Sequence, residues 1–166
     1  MQVELDKAAD TRAITELHVD VWRTTYAELA PPEALERLGV VVRLPQWQAA
    51  LADPASAAGI FVIRSGDAIS GFAKVQLDPL GPMHGRGETK HLLIECSEQS
   101  PGLGRLLVNA ASLYLKSINA SGIGLGVADG NERAIAFYER LGGRHVGKYA
   151  DPGPLWRSRN MIYAWD

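Results

Sequence analysis

The chain predicts one α/β domain over residues 1–166, with a mixed, mostly antiparallel sheet flanked by helices. Three observations lead there. Apolar residues recur at helical spacing over the first stretch. The period then switches to that of strands near residue 60. In the second half a strand, a glycine turn and an apolar helix follow one another. At 166 residues and 46% hydrophobic, the chain can bury a core of its own.

Ile14, Leu17, Val21 and Trp22 recur at three- and four-residue spacing, so 11–26 reads as a helix with one buried face and Asp10 as its N-cap. Pro32 and Pro45 suit the first turn of a helix, which places short helices ahead of Leu35 and Leu38 and of Trp47, Ala50 and Leu51. Ile60 to Arg64 and Ala68 to Leu77 are β-rich, and Ser65-Gly66-Asp67 between them suits a tight hairpin. A third strand runs from Glu88 to Glu95, and Gly102-Leu-Gly104 opens an apolar helix through Leu106, Leu107, Ala110 and Tyr114. Ile123, Leu125 and Val127 alternate as a strand. Asn131 to Leu141 then forms a helix closed by Gly142-Gly143, where glycine accepts the left-handed terminal conformation. Arg144 to Tyr149 and Ser158 to Trp165 finish the chain as two strands around a Pro/Gly loop.

Composition excludes several classes. Lys and Arg number 17 against 19 Asp and Glu, a net charge of −2 with no basic run, so nucleic acid is not an expected partner. Apolar stretches such as Gly39 to Val42 and Gly59 to Ile63 fall far short of the ~20 residues that cross a bilayer. The start lacks the basic and apolar regions of a secretory signal, and Cys96 is the single cysteine, so a cytoplasmic protein without an internal disulfide is expected. His18, His84, His91 and His145 show no metal-ligand spacing, and no metal is assigned. Cys96 has no base identifiable beside it and reads as a packing residue.

Chemistry concentrates in two segments. Gln99-Ser-Pro-Gly102-Leu-Gly104 lies at a strand-to-helix junction, where unpaired backbone N–H groups and the helix dipole suit a phosphate, although a glycine turn with no ligand would look the same. The dinucleotide fingerprint fails because position 107 is Leu, and the helical start ahead of the sheet also argues against a nicotinamide oxidoreductase. The second segment is Asn131-Glu-Arg-Ala134-Ile-Ala-Phe137-Tyr138-Glu-Arg-Leu-Gly142. Gly122, Gly124 and Gly126 recur at period two, which lets a ligand or another backbone approach one strand face, or serves packing only.

Taken together, the two segments resemble the GNAT superfamily of N-acetyltransferases. Gln99, Gly102 and Gly104 match its Q/R-x-x-G-x-G/A pyrophosphate loop, and Asn131, Ala134, Phe137, Tyr138 and Gly142 match its N-x-x-A-x-x-F-Y-x-x-x-G segment. Glu88-Thr-Lys-His-Leu-Leu-Ile94 is similar to the E-I-K-R-L-Y-V strand that precedes the loop, and His18 to Pro31 to an amino-terminal helical segment of small bacterial members. Glu95-Cys96-Ser97-Glu98 departs from the family, which favours Pro after the strand and a basic or Gly residue before the loop.

The resemblance implies a GNAT-like fold and direct transfer of an acetyl group from acetyl-CoA, the acyl-donor co-substrate, to an amine on a small molecule or peptide. Under it Leu93 and Ile94 run along the pantetheine, and the loop from Gln99 through Gly102, Leu103, Gly104 and Arg105 holds the pyrophosphate. Asn131, Ala134 and Phe137 also fall on the cofactor side, with Asn131 an N-cap, a pantetheine contact, or both. Tyr138 matches the residue that gives a hydrogen bond or proton to the CoA sulfur. Because neighbours on a helix point about 100° apart, Phe137 is expected inward and Tyr138 toward the cofactor. Glu88 is the candidate general base, or else pairs with Lys90 or Arg86. Trp22, Tyr26, the 78–87 loop and Trp156 are candidates to hold the acceptor by cation–π contact, or serve packing, which the spacing favours for Trp22. A homodimer is left open, and the rival reading is a non-catalytic acyl-CoA-binding module.

Overall fold

The computed structural model describes the chain apart from residues 1–2, 6–9, 58, 78–80, 96–101 and 166. Its elements run β1 (Val3–Leu5), α1 (Thr11–Tyr26), α2 (Pro32–Arg37), α3 (Val40–Ala52), α4 (Pro54–Ala57), β2 (Ile60–Ser65), β3 (Ala68–Leu77), β4 (Gly87–Ile94), α5 (Leu103–Ser117), β5 (Ile123–Ala128), α6 (Glu132–Arg140), β6 (Arg144–Ala150) and β7 (Arg159–Trp165). The strands form one sheet in the order β1-β2-β3-β4-β5-β7-β6, and every neighbouring pair is antiparallel except β4 and β5.

The unbroken apolar run Ile60-Phe61-Val62-Ile63 reflects a strand buried on both faces. Ile60 and Val62 pack with Ile14, Leu17, Val21, Trp47 and Phe72 beneath α1 and α3. Phe61 and Ile63 pack with Ala73, Val75, Leu107, Ala111 and Leu115 beneath α5. A third cluster, Leu125, Val127, Tyr138 and Tyr163, ties α6 to β5 and β7.

Four expectations are corrected. A three-residue strand, β1, precedes α1 and pairs with β2, so the chain does not enter the sheet from a helix; three residues are too few for alternation to be visible. Asp10 stands at the N-cap of α1 without a side-chain cap bond, because its carboxylate pairs instead with Arg64. Pro45 lies inside α3, which begins at Val40 after the extended residue Gly39. The carbonyl that Pro45 leaves unpaired belongs to Val41, which is 87% exposed, so water can satisfy it. On α1 the buried face carries Thr15, His18 and Val19, whereas Trp22 lies half-buried at its margin.

Candidate functional site

The parallel pairing of β4 and β5 lasts only three residue pairs, Gly87 with Ile123, Glu88 with Gly124 and Thr89 with Leu125. An extra residue then enters β4 at Lys90, where the register against β3 shifts between Lys74 and Val75. Beyond that bulge Lys90–Ile94 and Gly126–Ala128 part, so the backbone groups of each that point away from β3 and β7 have no ladder partner among the described residues. Leu93 and Ile94 lie on this open stretch, with side chains packed toward α1 and toward α5 respectively.

The amino end of α5 has its own unpaired donors. Gly102 takes φ +108°, which a side chain would resist, and its carbonyl receives the Leu106 N–H at 3.0 Å. The amides of Leu103, Gly104 and Arg105 precede the first intrahelical bond, so they and the positive end of the dipole suit an anion. Gly104 has a second reason to lack a side chain, since a Cβ there would lie 2.7 Å from Phe137 Cζ. Arg105 is exposed in the first turn. Gln99 lies outside the described residues, as does Cys96.

On α6 Phe137 is not the inward member of the aromatic pair. Tyr138 is the buried one, packed against Tyr163 and Trp165, while half-buried Phe137 covers Gly104. The difference arises because α6 is wedged between the sheet and the start of α5, so both rings find neighbours. The Tyr138 hydroxyl has no hydrogen-bond partner among the described residues. Burial raises its pKa above the usual phenol value, and Tyr26 nearby adds to this, so the hydroxyl keeps its proton. Asn131 does cap α6, accepting the Ala134 N–H at 3.2 Å. Ala134 thereby spends its N–H on the cap.

A second cluster faces α1. Trp22, Tyr26 and Trp156 meet as a triad, with ring centroids 4.9 Å, 6.1 Å and 5.6 Å apart. Residues from the first helix and the last loop, paired in the sequence reading only by residue type, are thus brought together. On β4, Glu88 is 2% exposed and accepts from Gln76 Nε2 at 2.9 Å and Lys90 Nζ at 3.5 Å. It shares one sheet face with the β5 glycines. Met83 of the 78–87 loop fills the space over Gly124, and the Tyr149 ring lies across Gly126, so those glycines admit side chains of this chain. The Tyr149 hydroxyl accepts from Asn160 Nδ2 at 3.2 Å, and the charges of Asp151 and Glu88 both raise its pKa after burial.

Under α3 the His18 and His91 rings lie 4.8 Å apart, and Trp47 Nε1 donates to His18 Nδ1 at 3.1 Å. This bond makes Nδ1 the acceptor and leaves the proton of neutral His18 on Nε2. Burial, then the charge of Arg43, lowers the His18 pKa from about 6.5 to about 3, and His91 is lowered in the same direction. The unfolded chain therefore binds a proton that the fold excludes. Stability present above pH 6.5 is lost as pH falls toward 3, at about 1.4 kcal/mol per pH unit for one such group. Melting temperature should drop steeply from pH 6.5 to 4.5, and more shallowly in His18→Asn; parallel slopes would remove His18 as the source.

A sequence model of the acetyltransferase (GNAT) family matches residues 11–143. The chain belongs to that family. It is 27% identical over 148 residues to the uncharacterized N-acetyltransferase YuaI of Bacillus subtilis strain 168, covering 86% of this chain and 79% of YuaI. Its fold matches PaiA N-acetyltransferase of Thermoplasma acidophilum, solved in complex with coenzyme A, at TM-score 0.77 and 16% identity over 98% of this chain and 96% of that one. It also matches PH1933 of Pyrococcus horikoshii OT3 at 0.72 and 26%, covering 99% and 98%. YncA of Salmonella typhimurium, a putative acetyltransferase solved with acetyl-CoA, matches at 0.69 and 17%, covering 99% and 91%.

Within this GNAT chain the sequence reading missed Arg43, the His18–His91 pair, Tyr149, Asp151 and Asn160. No local motif marks them. The one available signal was that Tyr149 and Asp151 flank the loop of Trp156. Among the described residues no group of three or more His, Cys, Asp or Glu is placed to hold a metal ion, and no helix is long and apolar enough to cross a membrane.

Proposed function

We propose that the chain transfers an acetyl group from acetyl-CoA directly to an amine, without a covalent enzyme intermediate. The observation that carries this reading is the parting of β4 from β5 together with a Tyr138 hydroxyl that has no hydrogen-bond partner among the described residues. An extended pantetheine arm can complete the open backbone edge as a strand would, and the N–H groups at the start of α5 can take a pyrophosphate. Acetyl-CoA supplies an activated thioester when bound.

Tyr138 then holds a proton at Oη for the departing sulfur, and Glu88 on the other side of the opening takes the proton of the amine, directly or through water. Leu93 and Ile94 contribute main-chain groups, and Asn131 sets the start of α6. The aromatic triad bounds the acceptor side. A cytoplasmic location accords with a chain of one cysteine, which can form no internal disulfide.

Thermal unfolding tests the donor. Acetyl-CoA at 100 times its dissociation constant should add about 2.7 kcal/mol of stability, and NADH none. Stabilisation by NADH and not by acetyl-CoA would end this reading.

A further inference from the structure

Arg43 is a cation held partly out of water that forms no ion pair among the described residues. Its Nη1 donates to Gln46 Oε1 at 3.0 Å, whereas Nε is closed off from solvent and has no hydrogen-bond partner among the described residues. The turn of α3 ahead of Pro45 carries it inward, where its charge reaches His18 and His91 on one side and Asp151 on the other. Arginine does not shed its proton, and its Nη2 has no hydrogen-bond partner among the described residues, so the guanidinium can still receive an anion.

Positive charge accumulates around the same place. Lys74 pairs in register with His91 and holds Nζ 5.9 Å from the centre of the Trp47 ring. Lys90 stands at the bulge next to His91. Of the nearby acids, Glu88 is bonded by Gln76 and Lys90, Asp53 acts on Lys74 through space, and Asp151 accepts from Gly153 N and Asn160 Nδ2. None of these acids makes an ion pair with Arg43. The acceptor side is therefore polarised, with cations under α3 and carboxylates at Glu88 and Asp151.

We propose that Arg43 binds an acid group on the acceptor, so that the acceptor is an amino acid or another small amine bearing a carboxylate or phosphate, its amine directed to Glu88 and Tyr149. The proposal rests on the acetyl-transfer reading above. A guanidinium fork matches the planar geometry of an oxyanion, and a diamine would set a second cation against Arg43. Selection thus comes from attraction and repulsion together.

Thermal-shift titrations of the CoA-saturated protein test this with L-amino acids against their carboxamides, and O-phosphoethanolamine against ethanolamine. At least one acid-bearing compound should reach half-saturation at a tenfold lower concentration than its neutral partner, and the pair showing the preference identifies carboxylate or phosphate. Arg43→Gln should bring that ratio to about one, and Arg43→Lys should restore part of it. Equal responses within every wild-type pair, or a preference that survives Arg43→Gln, would overturn the assignment. Failure of CoA itself to stabilise the protein would instead refute the donor reading.

Discussion

Tyr138→Phe is expected to lower kcat by about 10²- to 10⁴-fold, the range of a lost acid–base group, while acetyl-CoA binding stays nearly intact. The substitution removes one oxygen and keeps the ring, so the packing against Phe137, Tyr163 and Trp165 persists. No hydrogen bond among the described residues is lost with it, which separates a chemical effect from a folding one. Because burial raises the Tyr138 pKa, the phenol stays protonated wherever amines are being deprotonated, and its ionisation should not shape the alkaline limb of the pH profile. Steady-state release of CoA thiol, together with thermal shift by acetyl-CoA, measures both quantities. An unchanged kcat would remove Tyr138 from the mechanism.

Glu88→Gln is expected to slow the reaction at neutral pH and to recover as pH rises. An alkyl amine with a pKa near that of lysine, about 10.4, is neutral in only about one molecule in a few thousand at pH 7, and each unit of pH raises that fraction tenfold. Loss of the base should therefore show as a kcat/KM profile displaced toward alkali. Glutamine keeps one acceptor oxygen, so it serves only one of Gln76 Nε2, which bonds Oε2, and Lys90 Nζ, which bonds Oε1; a thermal melt of the variant separates that structural loss from the kinetic one. The ion pair with Lys90, one of the alternatives for Glu88, is present at 3.5 Å. It is compatible with a base, since Glu88 is enclosed rather than solvated. A profile superimposable on wild type would leave the ion pair as the role of Glu88.

The elements proposed to hold the donor were legible because their determinants are local. Gly102 is needed for a backbone angle, Asn131 caps the helix it begins, and Tyr138 stands at a set distance from both along the chain. Most strands were legible through alternation, and β2 through its continuous apolar run. Pro45 misled because proline at a first turn and proline tolerated inside a helix look alike until the exposure of Val41 is known. The same misplacement hid Arg43, which sits on the turn that the proline seemed to exclude. Phe137 and Tyr138 misled because periodicity assigns directions around one helix and is silent about how many neighbours that helix has.

Periodicity and turn residues are properties of short segments, and they were enough to define most of the elements, while the paired motifs, through their resemblance to GNAT members, pointed to the family. The proposed acceptor side draws on α1, α3, β4, β6 and the loop before β7, whose side chains meet only when the sheet pairs and the helices pack on it. The parting of β4 from β5, the Trp22–Tyr26–Trp156 triad and the unpaired Nε of Arg43 arise from that packing, because burial, hydrogen-bond satisfaction and charge proximity are set by residues far apart in the chain.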